Sequence, residues 1–265
     1  PAAYTLVISF TEWDGLKPPR WIGLGNFIRL ARDPAFLSSL GNTAIWVVAT
    51  LAIPVFLGLV VAASVNRIRG EAVFKSIFYL PYTISAAATG ILWTFVFEPT
   101  QGVVDTLLKV VGLEGWIRPW LVTPGLNTAS MIAAYTWQTM GTHMVLFLVG
   151  LQSIPQEPVE AAKIDGATNL QAFLHVTLPL LRPILTVVVT MAIVNSFKVF
   201  DLIWVMTKGG PFRSSETLAV TMYRESFILF HLGYGASIAT LLSIISFAFS
   251  WTYLRSAVRS ESMYR

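Results

Sequence analysis

The chain has 265 residues, of which 55% are hydrophobic and only 12% charged, about half the charge of an ordinary soluble domain. Its charges cluster between long neutral runs, which excludes a soluble domain with a charged surface and makes lipid the implied solvent. The net charge of +4 is scattered and cysteine is absent, so neither a basic face for nucleic acid nor a disulfide or cysteine-metal framework can be built.

In chain order, residues 1–10 (PAAYTLVISF) read as the end of an apolar helix. They supply about half of the roughly 20 residues a span needs, so the first helix is expected to be partly missing from this chain. Further spans are predicted at 43–66, 76–97, 128–151, 183–206 and 232–254, each long enough to cross a ~30 Å hydrocarbon core. The fifth is apolar through 183–197 and then carries Lys198 and Asp201 toward its outer end. The expected fold is therefore all-α and integral to the membrane: six helices in one domain, with both termini on the same side.

Basic residues indicate which side that is. The connectors 67–75, 152–182 and 255–265 hold 8 Lys and Arg in 51 positions, whereas 11–42, 98–127 and 205–231 hold 9 in 89. The denser set is assigned to the cytoplasm, which places the N- and C-termini there.

Pro54, Gly58, Pro81, Gly90 and Gly141 interrupt the spans. They fit two uses, close packing with kinks or the gate of a cavity. Polar groups within spans usually face a bundle interior or a wet cavity. Gln138, Asn195 and Asp201 are thus candidates for hydrogen bonds to substrate, with Trp93, Tyr135, Trp137, Phe200 and Trp204 as flat apolar surfaces. Competing readings are a local Lys198–Asp201 pair on the helix, packing for Trp93 and Trp137, and an interfacial belt for Trp13, Trp21, Trp116 and Trp120.

The connector 152–182 has local signals of its own. Pro155, Pro158, Glu157 and Glu160 suit a helix start, and Gly166 suits a left-handed C-terminal cap. Thr168 or Asn169 can cap a second helix that presents Leu170, Phe173 and Leu174 before Pro179 ends it. Two short helices meeting at a glycine corner make a compact knob.

The run EAAKIDGA (160–167) followed by LP at 178–179 resembles the EAA loop of ABC importer permeases. WIGLGNFIRL (21–30), Asn42-Thr43, FKSIFYLP (74–81), GLQSIP (150–155), SFKVFD (196–201) and VMTKGGP (205–211) are similar to recurring segments of carbohydrate permeases of the maltose and glycerol-3-phosphate type.

The resemblance implies a bacterial or archaeal inner-membrane subunit that translocates a sugar by alternating access. It implies a second homologous permease in a heterodimer, two copies of an ATPase subunit and an extracytoplasmic solute-binding protein. Glu160, Ala161, Ala162, Asp165, Gly166, Leu178 and Pro179 would be the ATPase-coupling residues, and loop 206–216 would meet the solute-binding protein. No G-x-x-x-x-G-K-[ST], H-E-x-x-H or G-x-S-x-G occurs, so no catalytic residue, metal site or cofactor is expected here, and ATP with Mg belongs to the partner. An ion-driven secondary transporter would want more intramembrane carboxylates than Asp201 and would leave the EAA run unexplained.

Overall fold

The computed structural model describes residues 1–262, with side chains through Arg255. The end of the basic segment 255–265 lies outside the described residues.

The described chain is mostly helical. Helix α1 (Ala2–Ile8) leads into a short ladder of β1 (Thr11–Glu12) and β2 (Arg20–Trp21), antiparallel with Thr11 opposite Trp21. This ladder and α2 (Gly25–Leu30) occupy a connector that carried no such prediction. The next helix, α3 (Pro34–Val65), begins well before the expected 43. Asp33 accepts from the Ala35 N–H at 2.9 Å and Pro34 takes a first-turn position where its missing N–H costs nothing. At 32 residues, α3 is about 48 Å long.

The predicted span 76–97 is broken. Helix α4 (Glu71–Tyr79) passes into a 3-10 turn at Leu80–Thr83, and α5 (Ala86–Val96) restarts from Ser85, whose hydroxyl accepts from the Ala88 N–H at 3.2 Å. Pro81 removes a donor at this break, and Gln138 repairs part of it by donating to the Ile84 carbonyl at 2.8 Å.

Helix α6 (Val103–Val110) lies in the next connector, and α7 (Leu126–Ser153) covers the predicted 128–151. Helices α8 (Glu157–Ile164), α9 (Asn169–Ala172) and α10 (Leu178–Leu180) form the connector after it, with a π turn at Phe173–Thr177. The predicted span 183–206 is also interrupted: α11 (Arg182–Phe197) stops, and α12 (Asp201–Met206) begins after a three-residue break. Helix α13 (Leu218–Tyr223) runs into a π turn at Arg224–Ile228, and α14 (Leu232–Ser262) contains the predicted 232–254.

Taken singly, α3 and the Leu232–Arg255 part of α14 are long and apolar enough to cross a membrane; the α9–α10 segment and α11 qualify together across a 72° bend.

The residues fall into two compact units. The first comprises 1–49, 85–135 and 193–252. It has one core around Trp46, Met131, Leu202, Ile203 and Val220 and another around Leu30, Phe36, Leu218, Tyr234 and Ile238. The second comprises 50–84, 136–192 and the residues from 253, with a core of Val55, Met144, Phe147, Leu148, Leu181 and Val188.

Within the second unit the small residues serve close packing. A Cβ on Gly141 would run into the backbone carbonyl of Phe78, and one on Gly58 would lie 2.7 Å from the His143 Cβ. Gly141→Ala must therefore push α7 away from α4, at about 1–3 kcal/mol. A fall in thermal midpoint of the detergent-purified protein is expected, with Ala133→Gly, at an exposed site, as the milder comparison.

Where α4 begins, the Glu71 carboxylate accepts from the Arg67 N–H at 3.0 Å and from Gln152 Nε2 at 2.7 Å, and pairs with Lys75 at 2.5 Å. The hydrogen bond to Lys75, then that from Arg67, holds the Glu71 carboxyl below its ordinary value. A lowered carboxyl stabilises the fold above its unfolded value and loses that contribution only as pH falls through the lowered one. Slow amide exchange at 67–75 should thus persist at neutral and mildly acidic pH. Glu71→Gln should speed it at pH 7.

Candidate coupling loop and pathway residues

The connector between α7 and α11 is built from local signals at each step. Glu157 and Glu160 occupy the first turn of α8 and Lys163 the last, complementing the helix dipole at both ends. Gly166 follows at φ +89. The Ala167 N–H donates to the Ala162 carbonyl at 2.9 Å and the Gly166 N–H to that of Lys163 at 3.1 Å. This crossed pair satisfies carbonyls that a helix end leaves open, and it needs a left-handed residue at its centre.

Thr168 then starts α9 with reciprocal bonds: its hydroxyl accepts from the Gln171 N–H at 3.3 Å, while Gln171 Oε1 accepts from the Thr168 N–H at 2.8 Å. Such a box closes two open donors. Pro179 does not end the second helix. The chain widens into the π turn, where the Leu178 N–H donates to the Phe173 carbonyl, passes Pro179 in α10 and bends at Leu181; a local π turn of this kind takes up a proline's missing donor.

The knob has an inner and an outer side. Ala172 and Leu181 are buried, and Val159 and Phe173 pack on the second unit's core. Glu160, Ala161, Asp165 and Gly166 are exposed, and Ala162 is half-buried. Ile164, at 86% exposure, stands beside them with exposed Leu170 and Leu174. Leu178 and Pro179 are half-buried in α10, apart from α8, and belong to the mounting of the knob. Ile164 was not among the predicted residues; its signal was an apolar side chain five positions after the inward-facing Val159.

The pathway candidates fall into separate groups. In the first unit the Phe200 and Trp204 rings stack at 5.7 Å and 14°. Tyr223 lies 4.9 Å from Phe200 and 5.0 Å from Trp204, and Phe227 continues the series 5.4 Å from Tyr223. Tyr223 and Phe227 extend this aromatic cluster without having been singled out in the sequence, although aromatics four apart in TMYRESF mark one helix face.

Asn195, Lys198 and Asp201 are all exposed along the α11–α12 break. The expected Lys198–Asp201 helical pair is absent among the described residues: Phe200, at φ −135 and ψ −60, destroys the three-residue helical spacing the pair required. Trp93 lies tilted against Phe97 at 5.3 Å, and Tyr135 meets Trp46 edge-on at 5.7 Å. Trp137 and Gln138 belong to the second unit. Gln138 is buried, with one amide donor committed to the broken span.

The segment after α12 is irregular backbone held by side chains from several elements. Glu216 is fully buried. Its carboxylate accepts from Arg213 Nε at 2.8 Å, Arg224 Nε at 2.5 Å and the Thr221 hydroxyl at 3.0 Å. Asn42 Nδ2 donates to the Ser214 and Glu216 carbonyls, and Asn127 Nδ2 to that of Gly210 at 2.8 Å. From this anchored base Phe212 projects at 99% exposure.

Residues 54–260 match the family described as "Binding-protein-dependent transport system inner membrane component". A probable ABC transporter permease protein of Pyrococcus horikoshii is 35% identical over 97% of this chain and 89% of its own length. A probable starch degradation products transport system permease protein of Thermoanaerobacterium thermosulfurigenes is 32% identical over 92% and 83%. A chain of a bacterial ABC transporter involved in import of the acidic polysaccharide alginate superposes with a TM-score of 0.84 at 20% identity, covering 97% of this chain and 89% of that one. On the match over 54–260 and these identities, the chain belongs to the inner-membrane permease family of binding-protein-dependent ABC importers.

Proposed function

We propose that this chain is one of two permease subunits through which a carbohydrate crosses the membrane, moved by an ATPase that grips the knob from α8 to α10. The observation that carries this reading is the knob's build: a capped, rigid helix pair that exposes Glu160, Ala161 and Gly166 with a rim of Ile164, Leu170 and Leu174. Exposed apolar side chains on a rigid corner suit a cleft in a partner protein. ATP and Mg are held by that partner, two copies of which serve a pair of homologous permeases.

The relatives that handle starch degradation products and alginate favour a carbohydrate as cargo. The apolar runs support six spans, and the denser basic connectors support cytoplasmic termini. The α3, α7, α11 and α14 helices, the broken α4–α5 segment and α1 supply them. The exposed polar groups at the α11–α12 break and the Phe200, Trp204 and Tyr223 faces are pathway elements, and the Phe212 tip faces an extracytoplasmic solute-binding protein.

The chain contains no cysteine, so Ile164→Cys introduces a unique thiol. Cross-linking from it to the ATPase subunit is expected in the assembled transporter, changing in yield when ATP is bound. Proteoliposomes with both partners should accumulate sugar only with ATP on the knob side. Uptake driven by an ion gradient without ATP overturns the reading.

A further inference from the structure

The first unit contains a cavity of about 570 Å³ between the β1–β2 hairpin, α2 and the start of α14. That volume lies in the range of sites for small molecules. Its walls include Trp13, Phe230 and the buried Tyr234. Phe230 is held there at φ +56, a left-handed conformation a bulky residue adopts only under constraint.

The charges in this cleft do not cancel one another. Arg20 pairs with Glu12 at 2.5 Å. Asp14 is occupied by the backbone N–H groups of Leu16 and Lys17, both at 3.0 Å. His231 Nδ1 meets Glu225 at 2.9 Å. Lys17 and Arg29 are left with no carboxylate in ion-pair reach among the described residues. Arg29 lies instead over the Tyr234 ring, 4.2 Å from its centroid, which fixes the guanidinium at the cavity wall.

The surroundings of the cleft are apolar. Tyr4 and Val7 on α1, Leu16 in the hairpin, and Trp21, Leu24 and Ile28 around α2 are all exposed. A cleft with two cations that form no ion pair among the described residues, aromatic walls and a greasy rim matches a molecule with an anionic head and an apolar body.

We propose that this cleft binds the phosphate of an anionic phospholipid from the outer leaflet, with Lys17 and Arg29 as its cationic partners and Trp13, Phe230 and Tyr234 packing its glycerol end. The assignment to the outer leaflet rests on the orientation given under Proposed function. A lipid held there ties the hairpin to the start of α14.

The test is native mass spectrometry of the assembled transporter, purified in detergent and offered phosphatidylglycerol, phosphatidylcholine or free glycerol 3-phosphate. Retention of phosphatidylglycerol over phosphatidylcholine is expected. Lys17→Gln should weaken it about tenfold, and Lys17→Gln with Arg29→Gln about a hundredfold. Lys17 uses only its backbone in the hairpin, so its substitution leaves the fold intact, and Arg29→Lys should keep most of the affinity. Equal retention by the wild-type protein and the variants overturns the site. Displacement of the lipid by equimolar glycerol 3-phosphate overturns it in favour of a soluble anion. Loss of solute-binding-protein docking in the variants with lipid retention unchanged overturns it in favour of a protein contact. Sugar uptake is read on the same preparations: a wild-type transporter that fails to import overturns the transport reading and leaves the lipid measurement readable.

Discussion

Gly166→Val is expected to leave the subunit in the membrane and cut sugar uptake severely, with ATP hydrolysis no longer responsive to substrate. Gly166 sits at φ +89 with nothing within 4 Å of where a Cβ would be. The substitution therefore meets no neighbour, and its whole effect is on the backbone. A residue other than glycine in this region costs about 1–2 kcal/mol, more when β-branched. The cheapest relief is to undo the corner, breaking the Ala167–Ala162 and Gly166–Lys163 bonds that set the angle between α8 and α9. The cores lie elsewhere, so thermal stability should change little while uptake falls at least about tenfold. Gly166→Asn, which tolerates the left-handed region, should recover part of it. Glu160→Lys tests the same contact through charge: it reverses an exposed first-turn acid and disfavours the helix start. Substrate-driven uptake at the wild-type rate in both Gly166→Val and Glu160→Lys would remove the coupling role from the knob.

The knob was legible in the sequence because every signal in it is local. Pro158, Gly166 and Thr168 each act on residues within five positions. The continuous helices were legible for a related reason, since a long neutral run is its own evidence of a lipid or core environment. The two broken spans were harder. Their apolar composition is the same whether the helix continues or stops. The break at Lys198–Phe200 carries neither glycine nor proline, and only packing reveals it. In 76–97 Pro81 was visible, but the extent of the irregular segment depends on Gln138, 54 positions away from Ile84. Tertiary partners of that separation leave no trace in a local pattern.

The pathway candidates illustrate the same limit. Phe200 and Trp204 were identifiable as neighbours along one helix, and they do stack. Tyr223 joins them from another element. Gln138, chosen because an amide in a span needs a reason, has one in the Ile84 carbonyl. A polar residue in an apolar segment thus signals a partner, without saying whether that partner is substrate or backbone.

Glu216 is the residue the sequence hid most completely, since a glutamate in a loop reads as solvent-facing, and its replacement carries the second large expected effect. It is fully buried between Arg213 and Arg224. Glu216→Ala leaves Arg224 without its carboxylate and Arg213 with Glu225 alone, 3.6 Å away; because both guanidinium groups keep some contact with solvent, the loss is about 1–3 kcal/mol. Glu216→Gln keeps the shape and one acceptor but not the charge, so it should recover little of this. The strain should appear first in residues 207–217, which depend on the same carboxylate as well as on Asn42 and Asn127. Their amide exchange and protease sensitivity should rise before the helices respond. With the Phe212 tip no longer held, stimulation of ATP hydrolysis by the solute-binding protein should drop more than basal hydrolysis, because the knob and its mounting belong to the other unit. An unchanged thermal midpoint and unchanged exchange at 207–217 in Glu216→Ala would mean that the loop is held by its asparagines alone. Asn42→Ala, which removes the donors to the Ser214 and Glu216 carbonyls, would then become the variant that releases it.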